Sequence, residues 1–301
     1  MATIGVPKVR VRRISLGSRD SQTRIFLRAF SRDRFATVAA IILAVFLLMI
    51  IAAPVIAPYD PIRGEPALRL QGPSMQHWFG VDSQGRDILS RLLWGGRVSI
   101  PLAVTPVIIA TMISSGIALI AGYFGRIIAN ILMRLIDVMF AFPTVILAMT
   151  VAAFMGAGRL SVLVAVTIVL LAPMTRVGYI AVREQVGKDF VDAARSLGAS
   201  HARLMLTHIL PNAMGPMLVY ASTLVGLMVV FVAGLSFLGL GLSPPTPDWG
   251  LMVAEGRQVM GVAFHVATFP GIVIAVVALC FNLIGDGLRF ALDPRIRNRG
   301  N

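Results

Sequence analysis

Six apolar runs dominate this chain, each long enough to cross a bilayer as a helix: residues 35–57, 98–122, 131–156, 160–182, 213–237 and 267–288. The hydrocarbon core is about 30 Å thick and a helix rises about 1.5 Å per residue, so roughly 20 apolar residues suffice. Unpaired backbone groups are costly in lipid, which leaves the helix as the spanning form for runs of this length. The runs predict an all-α membrane protein with about six transmembrane helices. Proline falls inside several of them, at Pro101, Pro106, Pro143, Pro173 and Pro270. Membrane helices tolerate it where neighbours re-satisfy the freed carbonyls.

The net charge of +13 would point to nucleic acid in a soluble chain. Here the positions of the charges give another reason for it. With the N-terminus in the cytoplasm, 20 of the 27 Lys and Arg residues fall in the segments 1–34, 122–134, 176–215 and 289–301. That is the positive-inside bias, and it predicts that both termini are cytoplasmic. The basic tail 1–34 then lies against anionic lipid headgroups. No aromatic or motif context accompanies its charges, so nucleic acid is not expected as a partner. The tail is too long, and lacks a small-x-small cleavage site, for a secretory signal; 35–57 is expected to remain as the first membrane helix.

Between the fourth and fifth runs lies a polar, helix-breaking island, residues 192–211. A first short helix is expected to carry Phe190, Ala193, Ala194 and Leu197 on one face. Gly198 supplies the left-handed turn that stops it. Ser200 caps a second short helix, which is expected to end before Pro211. Two short helices joined by a tight bend form a knob suited to a groove on a partner.

These residues resemble the Glu-Ala-Ala loop of ABC-importer permeases. That motif continues with Gly four positions after the second Ala and a Leu-Pro pair whose Pro stands thirteen positions after the Gly. Asp192, Ala193, Ala194, Gly198, Leu210 and Pro211 match it. Asp192 replaces the usual Glu, and His208 stands where Ile is common; both keep the helix–Gly–helix shape. Two further blocks are similar to the dipeptide, oligopeptide and nickel branch of these permeases. One ends the polar segment 58–97, at Gly80, Asp82, Gly85, Arg86, Asp87, Ser90, Arg91, Gly95 and Arg97. The other covers 281–295, at Asn282, Gly285, Asp286, Gly287, Leu288, Arg289, Asp293, Pro294 and Arg295. The loop 237–250, FLGLGLSPPTPDWG, matches the same branch.

Spacing adds local expectations. Asp87 and Arg91 stand i, i+4 and can pair. Leu89, Leu92 and Leu93 would form the apolar face of a helix resting at the membrane interface. Asp286 and Arg289, and Arg134 and Asp137, stand i, i+3 as candidate ion pairs. A buried membrane carboxylate such as Asp137 is also a candidate ion or proton site, but Arg134 one turn away favours the structural pair.

Catalytic chemistry is not expected on this chain. It has no G-x-x-x-x-G-K-[ST] run, and Gly239-Leu240-Gly241 is followed by Pro244-Pro245 rather than opening a helix. His77, His201, His208 and His265 are scattered, and two outward histidines without a third ligand make a weak metal site. Cys280 is the single cysteine, which leaves it a packing role. A secondary transporter would need intramembrane carboxylates and usually an internal repeat; a membrane enzyme would need clustered His, Asp or Glu.

What the resemblance implies is a type I ABC-importer permease fold. It has a first membrane helix at 35–57, an extracytoplasmic segment at 58–97, a five-helix core at 98–292 with a coupling loop at 183–212, and a cytoplasmic tail at 293–301. The implied site residues of the ATPase-coupling loop are Phe190, Asp192, Ala193, Ala194, Leu197, Gly198, Leu210 and Pro211. The implied partners are a second homologous permease, two cytoplasmic ATPase subunits carrying ATP and Mg²⁺, and an extracytoplasmic solute-binding protein. The implied cargo is a di- or oligopeptide, with nickel, glutathione, opines or sugars as alternatives, and the implied location is the inner membrane of a bacterium.

Overall fold

The computed structural model describes residues 30, 31 and 33–292. Nearly all of the basic tail and the whole C-terminal tail lie outside this range, as do Asp293, Pro294 and Arg295. Helix α1 (Arg34–Ile51) begins where Asp33 accepts bonds from the Phe35 and Ala36 N–H groups, and a further turn at Ala53–Ile56 closes the first span. Residues 57–87 follow as an irregular segment. Then come α2 (Ile88–Tyr123), α3 (Arg126–Phe140), α4 (Thr144–Met155), α5 (Arg159–Val186) and the short α6 (Asp189–Ser196). Helices α7 (His201–Phe237), α8 (Trp249–Arg257) and α9 (His265–Leu292) complete the chain. Five helices are long and apolar enough to cross a membrane, six when α3 and α4 count as one broken span.

Three expectations change. The third run is not one straight helix: α3 and α4 meet at 89°. Pro143 is the cause, because the residue before a proline is disfavoured in the α region, and Pro143 becomes the first flanking residue of α4 instead of being absorbed. Leu89, Leu92 and Leu93 do not belong to a separate interfacial helix. They form the first turns of α2, a single 36-residue helix in which Leu92 and Leu93 are buried. The second helix of the knob does not end before Pro211 either. It widens into a π segment at Leu204–Ile209 and runs on into the membrane span. A proline clashes with the carbonyl four residues back, and a widened turn relieves such crowding. Asn212 Nδ2 also bonds the His208 carbonyl at 2.7 Å.

Helices α2 and α5 form the central pair, α7 packs on both, and α9 joins α7 to α1. Their contacts are lined by small residues such as Ala103, Ala110, Ser114 and Ala165, all with no exposure. Small side chains let membrane helices approach closely, where packing rather than the hydrophobic effect drives association. The core is completed by Leu170, Met174, Met228, Val232 and Val277. The C-terminal ends of α2, α5 and α9 gather at one end of the bundle, beside α6. Residues 57–87, α8 and the start of α9 gather at the other.

Candidate functional site

The knob has a small core of its own. Val191 of α6, Leu204, Ile209 and Ala213 of α7, and Ala118, Leu119, Ala181 and Val182 from the ends of α2 and α5 are buried together. Gly198 turns the chain between the two helices with φ of +81°, and its added Cβ would meet nothing within 4 Å. Backbone conformation rather than space therefore selects glycine there. Ser200 Oγ accepts from the Arg203 N–H at 3.4 Å. His201 Nδ1 meets the Tyr123 hydroxyl at 2.5 Å, tying the knob to the end of α2, a contact no local spacing reveals.

The site residues read from the sequence divide into two groups. Phe190, Ala193 and Leu197 share an exposed face of the knob, with Phe190 at 40% and Leu197 at 88% exposure. Ala194 turns the other way, against the knob's core, together with Leu210. Asp192 sits beside the exposed face and pairs with Arg195 at 2.9 Å. Pro211 is exposed on α7, just past the π segment. The knob thus presents Phe190, Ala193 and Leu197 outward over a small buried core of its own.

At the opposite end, four charged side chains from three segments close into one buried cluster. Arg86 Nε donates to Asp82 Oδ2 at 2.7 Å, and its Nη2 donates to Glu255 Oε2 at 2.8 Å. Arg91 Nη1 donates to the same Asp82 Oδ2 and, at 3.0 Å, to Glu255 Oε2. Both arginine side chains are only 1% exposed. Burial works against the charge of Asp82, but the guanidiniums of Arg91 and Arg86 and the N–H groups of Arg86 and Gln84 outweigh it and hold the carboxyl below its usual range. Beside the cluster, Asp248 caps α8 by accepting from the Leu251 N–H and accepts from Ser99 Oγ at 2.9 Å. Trp249 Nε1 donates to the Leu92 carbonyl at 2.9 Å. Gly95 and Gly96 give the indole its room, since added Cβ atoms would stand 3.0 and 2.9 Å from it.

Asp87 does not pair with Arg91. It caps α2 through Ser90 N at 2.7 Å and holds His77 Nδ1 at 2.9 Å, so Arg91 is left to reach Asp82 and Glu255. Arg134 does not pair with Asp137: α5 runs beside α3, and Arg176 Nη2 reaches Asp137 Oδ1 at 2.6 Å. The Arg176 guanidinium lies 4.5 Å from the Phe140 ring centroid, which orients it toward α3. Among the described residues, no ion pair joins Asp286 to Arg289, and no three of His, Cys, Asp or Glu are grouped to hold a metal. Glu255 was illegible as a cluster member in sequence, its partners lying 164 and 169 positions away.

Residues 114–298 match the family described as the binding-protein-dependent transport system inner membrane component. The chain belongs to this family of permeases. Residues 21–73 of the permease also match the N-terminal TM domain of oligopeptide transport permease C. It is 41% identical over 278 residues to the glutathione transport system permease protein GsiD of Pectobacterium atrosepticum, covering 91% of this chain and 92% of that protein. The protein of the same name from Escherichia coli O157:H7 is 42% identical over 275 residues, with 90% of each covered. The fold is shared with two solved transporters. One is an amino acid ABC transporter with histidines (19% identity, TM-score 0.52, 66% of this chain and 92% of that one). The other is a methionine ABC transporter in inward-facing conformations (16% identity, TM-score 0.54, 67% and 96%). The permease is thus the membrane subunit of an ABC importer, a multi-pass protein of the bacterial inner membrane. Importers of this family generally work with ATPase and binding-protein partners.

Proposed function

We propose that this permease carries small peptides, with glutathione the first candidate, and that an ATPase drives it by gripping the knob. The observation that carries the coupling reading is the exposed apolar face of Phe190, Ala193 and Leu197, set on a knob with its own buried core. A rigid knob transmits displacement to α5 and α7, both of which enter the bundle directly from it. Peptide cargo is supported by the oligopeptide-type match at the N-terminal end and by relatives named for glutathione transport.

In this reading the knob is cytoplasmic, and so are both termini; 57–87 and α8 face the outer compartment, where a solute-binding protein docks. A second homologous permease completes the pathway. Two ATPase subunits hold ATP and Mg²⁺, and this chain adds no hydrolytic group of its own. The test is a deletion strain. Loss of labelled glutathione or dipeptide uptake, with resistance to toxic peptide analogues, supports the cargo. Normal peptide uptake with loss of nickel, opine or sugar uptake keeps the permease and removes the peptide. For the coupling surface, Ala193→Arg places a long cation at the centre of the exposed face and is expected to abolish uptake with the permease still in the membrane.

A further inference from the structure

Beside the bend between α3 and α4 lies a cavity of about 480 Å³, lined by Met139, Phe140, Pro143, Pro173, Tyr220 and Met228 among others. Its volume falls within the range of small-molecule sites, about 300–1,000 Å³. None of its lining residues is charged. Charge stands at its edge instead, on the side of the knob. Arg176 is three residues beyond Pro173 on α5, and its guanidinium stacks on Phe140. It donates through Nη2 to Asp137 Oδ1 at 2.6 Å, the single hydrogen bond between them. These side chains are 51% and 56% exposed on the single subunit, at the end of the bundle that carries the knob. The pair is therefore accessible, singly bonded and adjacent to an otherwise uncharged cavity.

We propose that the Arg176–Asp137 pair opens to receive a zwitterion, Arg176 taking the carboxylate of the cargo and Asp137 its ammonium group. The inference rests on the peptide reading above. Its chemistry follows from charge balance. A purely anionic or cationic ligand would displace one partner and leave the other without a counter-charge. A ligand with an ammonium and a carboxylate satisfies both. Trialanine does so with no charge left over, and glutathione does so with its single ammonium and one carboxylate, its second carboxylate staying outside the pair. The Phe140 ring keeps the guanidinium in place while its partners change, and the planar fork of arginine suits a carboxylate that can bind two-pronged. The bend at Ala141–Pro143, next to both groups, lets α3 shift against α5 as the pair parts.

The test is equilibrium binding of labelled glutathione to the purified importer in lipid nanodiscs, without its solute-binding protein. Hydrogen bonds to charged groups imply a loss of roughly tenfold or more in affinity for each contact removed. Arg176→Gln and Asp137→Asn are each expected to show that loss, and Arg176→Lys to recover part of it. On the unaltered protein, trialanine is expected to compete with glutathione, and N-acetyl-trialanine amide, which has neither charged terminus, is not. Equal competition by the blocked peptide overturns the proposal even if the variants fail to assemble, and so does unchanged affinity in both variants. If cells import glutathione through the intact importer while the nanodiscs bind none, this inference falls and the cargo reading stands. If the intact importer takes up no peptide, both fall.

Discussion

Replacing Glu255 by alanine removes the acceptor that Arg86 and Arg91 share. In the intact chain two guanidiniums face two carboxylates, so the cluster is neutral. Without Glu255 both cations are left with Asp82 alone, each 1% exposed and unable to turn toward water. The bonds lost are those of 2.8 and 3.0 Å from Arg86 and Arg91. Breaking a buried pair by removing one partner costs about 3–5 kcal/mol, chiefly because a charge is left uncompensated. Glu255 itself is 16% exposed, so water entering the vacated space brings the expected cost toward the lower figure, about 3 kcal/mol. At about 2–4 °C per kcal/mol for a domain of 150–250 residues, the melting temperature should fall on the order of 10 °C. The assay is a thermal scan of the purified permease in one detergent, read by intrinsic fluorescence. Glu255→Gln, which keeps one acceptor without the charge, should fall between the two. A Glu255→Ala protein that melts within about 2 °C of the parent would refute the claim that the cluster holds this end of the bundle together.

Acid should act through the same cluster: Asp82 has its carboxyl held below the ordinary value of 3.8, so the stability it contributes is present above that pH and is lost as pH falls through its folded-state value. Melting profiles of parent and Asp82→Asn should accordingly converge at acidic pH below about 4 and diverge at pH 7; a constant gap would remove Asp82 from the account. Gly198→Val forces a β-branched residue to φ of +81° with no steric contact to add, so the knob should be destabilised by about 1–2 kcal/mol from backbone strain. Uptake should drop sharply while membrane levels hold, and wild-type uptake would count against the knob as the coupling element. Gly96→Ala places a Cβ 2.5 Å from Ile50 Cδ1 and 2.9 Å from the Trp249 ring, an overpacking expected to cost about 1–3 kcal/mol, visible as a lower melting temperature. Reporter fusions after Gly72 and Gly250 should read the outer compartment and a fusion after Gly198 the cytoplasm; the reverse pattern would invert the topology.

The helices were legible because lipid imposes one requirement, length of apolar run, and the sequence meets it openly. Their interruptions were less so. Pro101, Pro106 and Pro143 look alike in sequence, yet two ride inside α2 and the third divides a span. Context beyond the residue decides which carbonyls find another donor. The knob's turn was legible from Gly198 and Ser200, since both act on neighbouring backbone. Its outward face was only half legible. Ala193 and Ala194 are equally small, and only packing against Val191 and Leu204 distinguishes the exposed one from the covered one. Ion pairs were the least legible. Helical spacing offered Arg91 to Asp87 and Arg134 to Asp137, but Asp87 was already committed to the start of α2, and Arg176 came from a helix nearly 40 residues on. Local spacing shows what can meet within one helix and nothing of what another helix brings.

Arg86 and Arg91 are translated 169 and 164 residues before Glu255. At roughly 5–20 residues per second, chain growth separates them by on the order of 10–30 s. Throughout that interval Asp82 alone offsets the two cations, although the segment at 57–87 can already close on itself and on the start of α2. Four more membrane-embedded stretches must be threaded before the missing carboxylate emerges. The last third of the chain therefore acts as the lock for the first third. A chain cut short anywhere before α8 leaves the ribosome without the second carboxylate, so Arg86 and Arg91 carry a net positive charge that the finished subunit does not have.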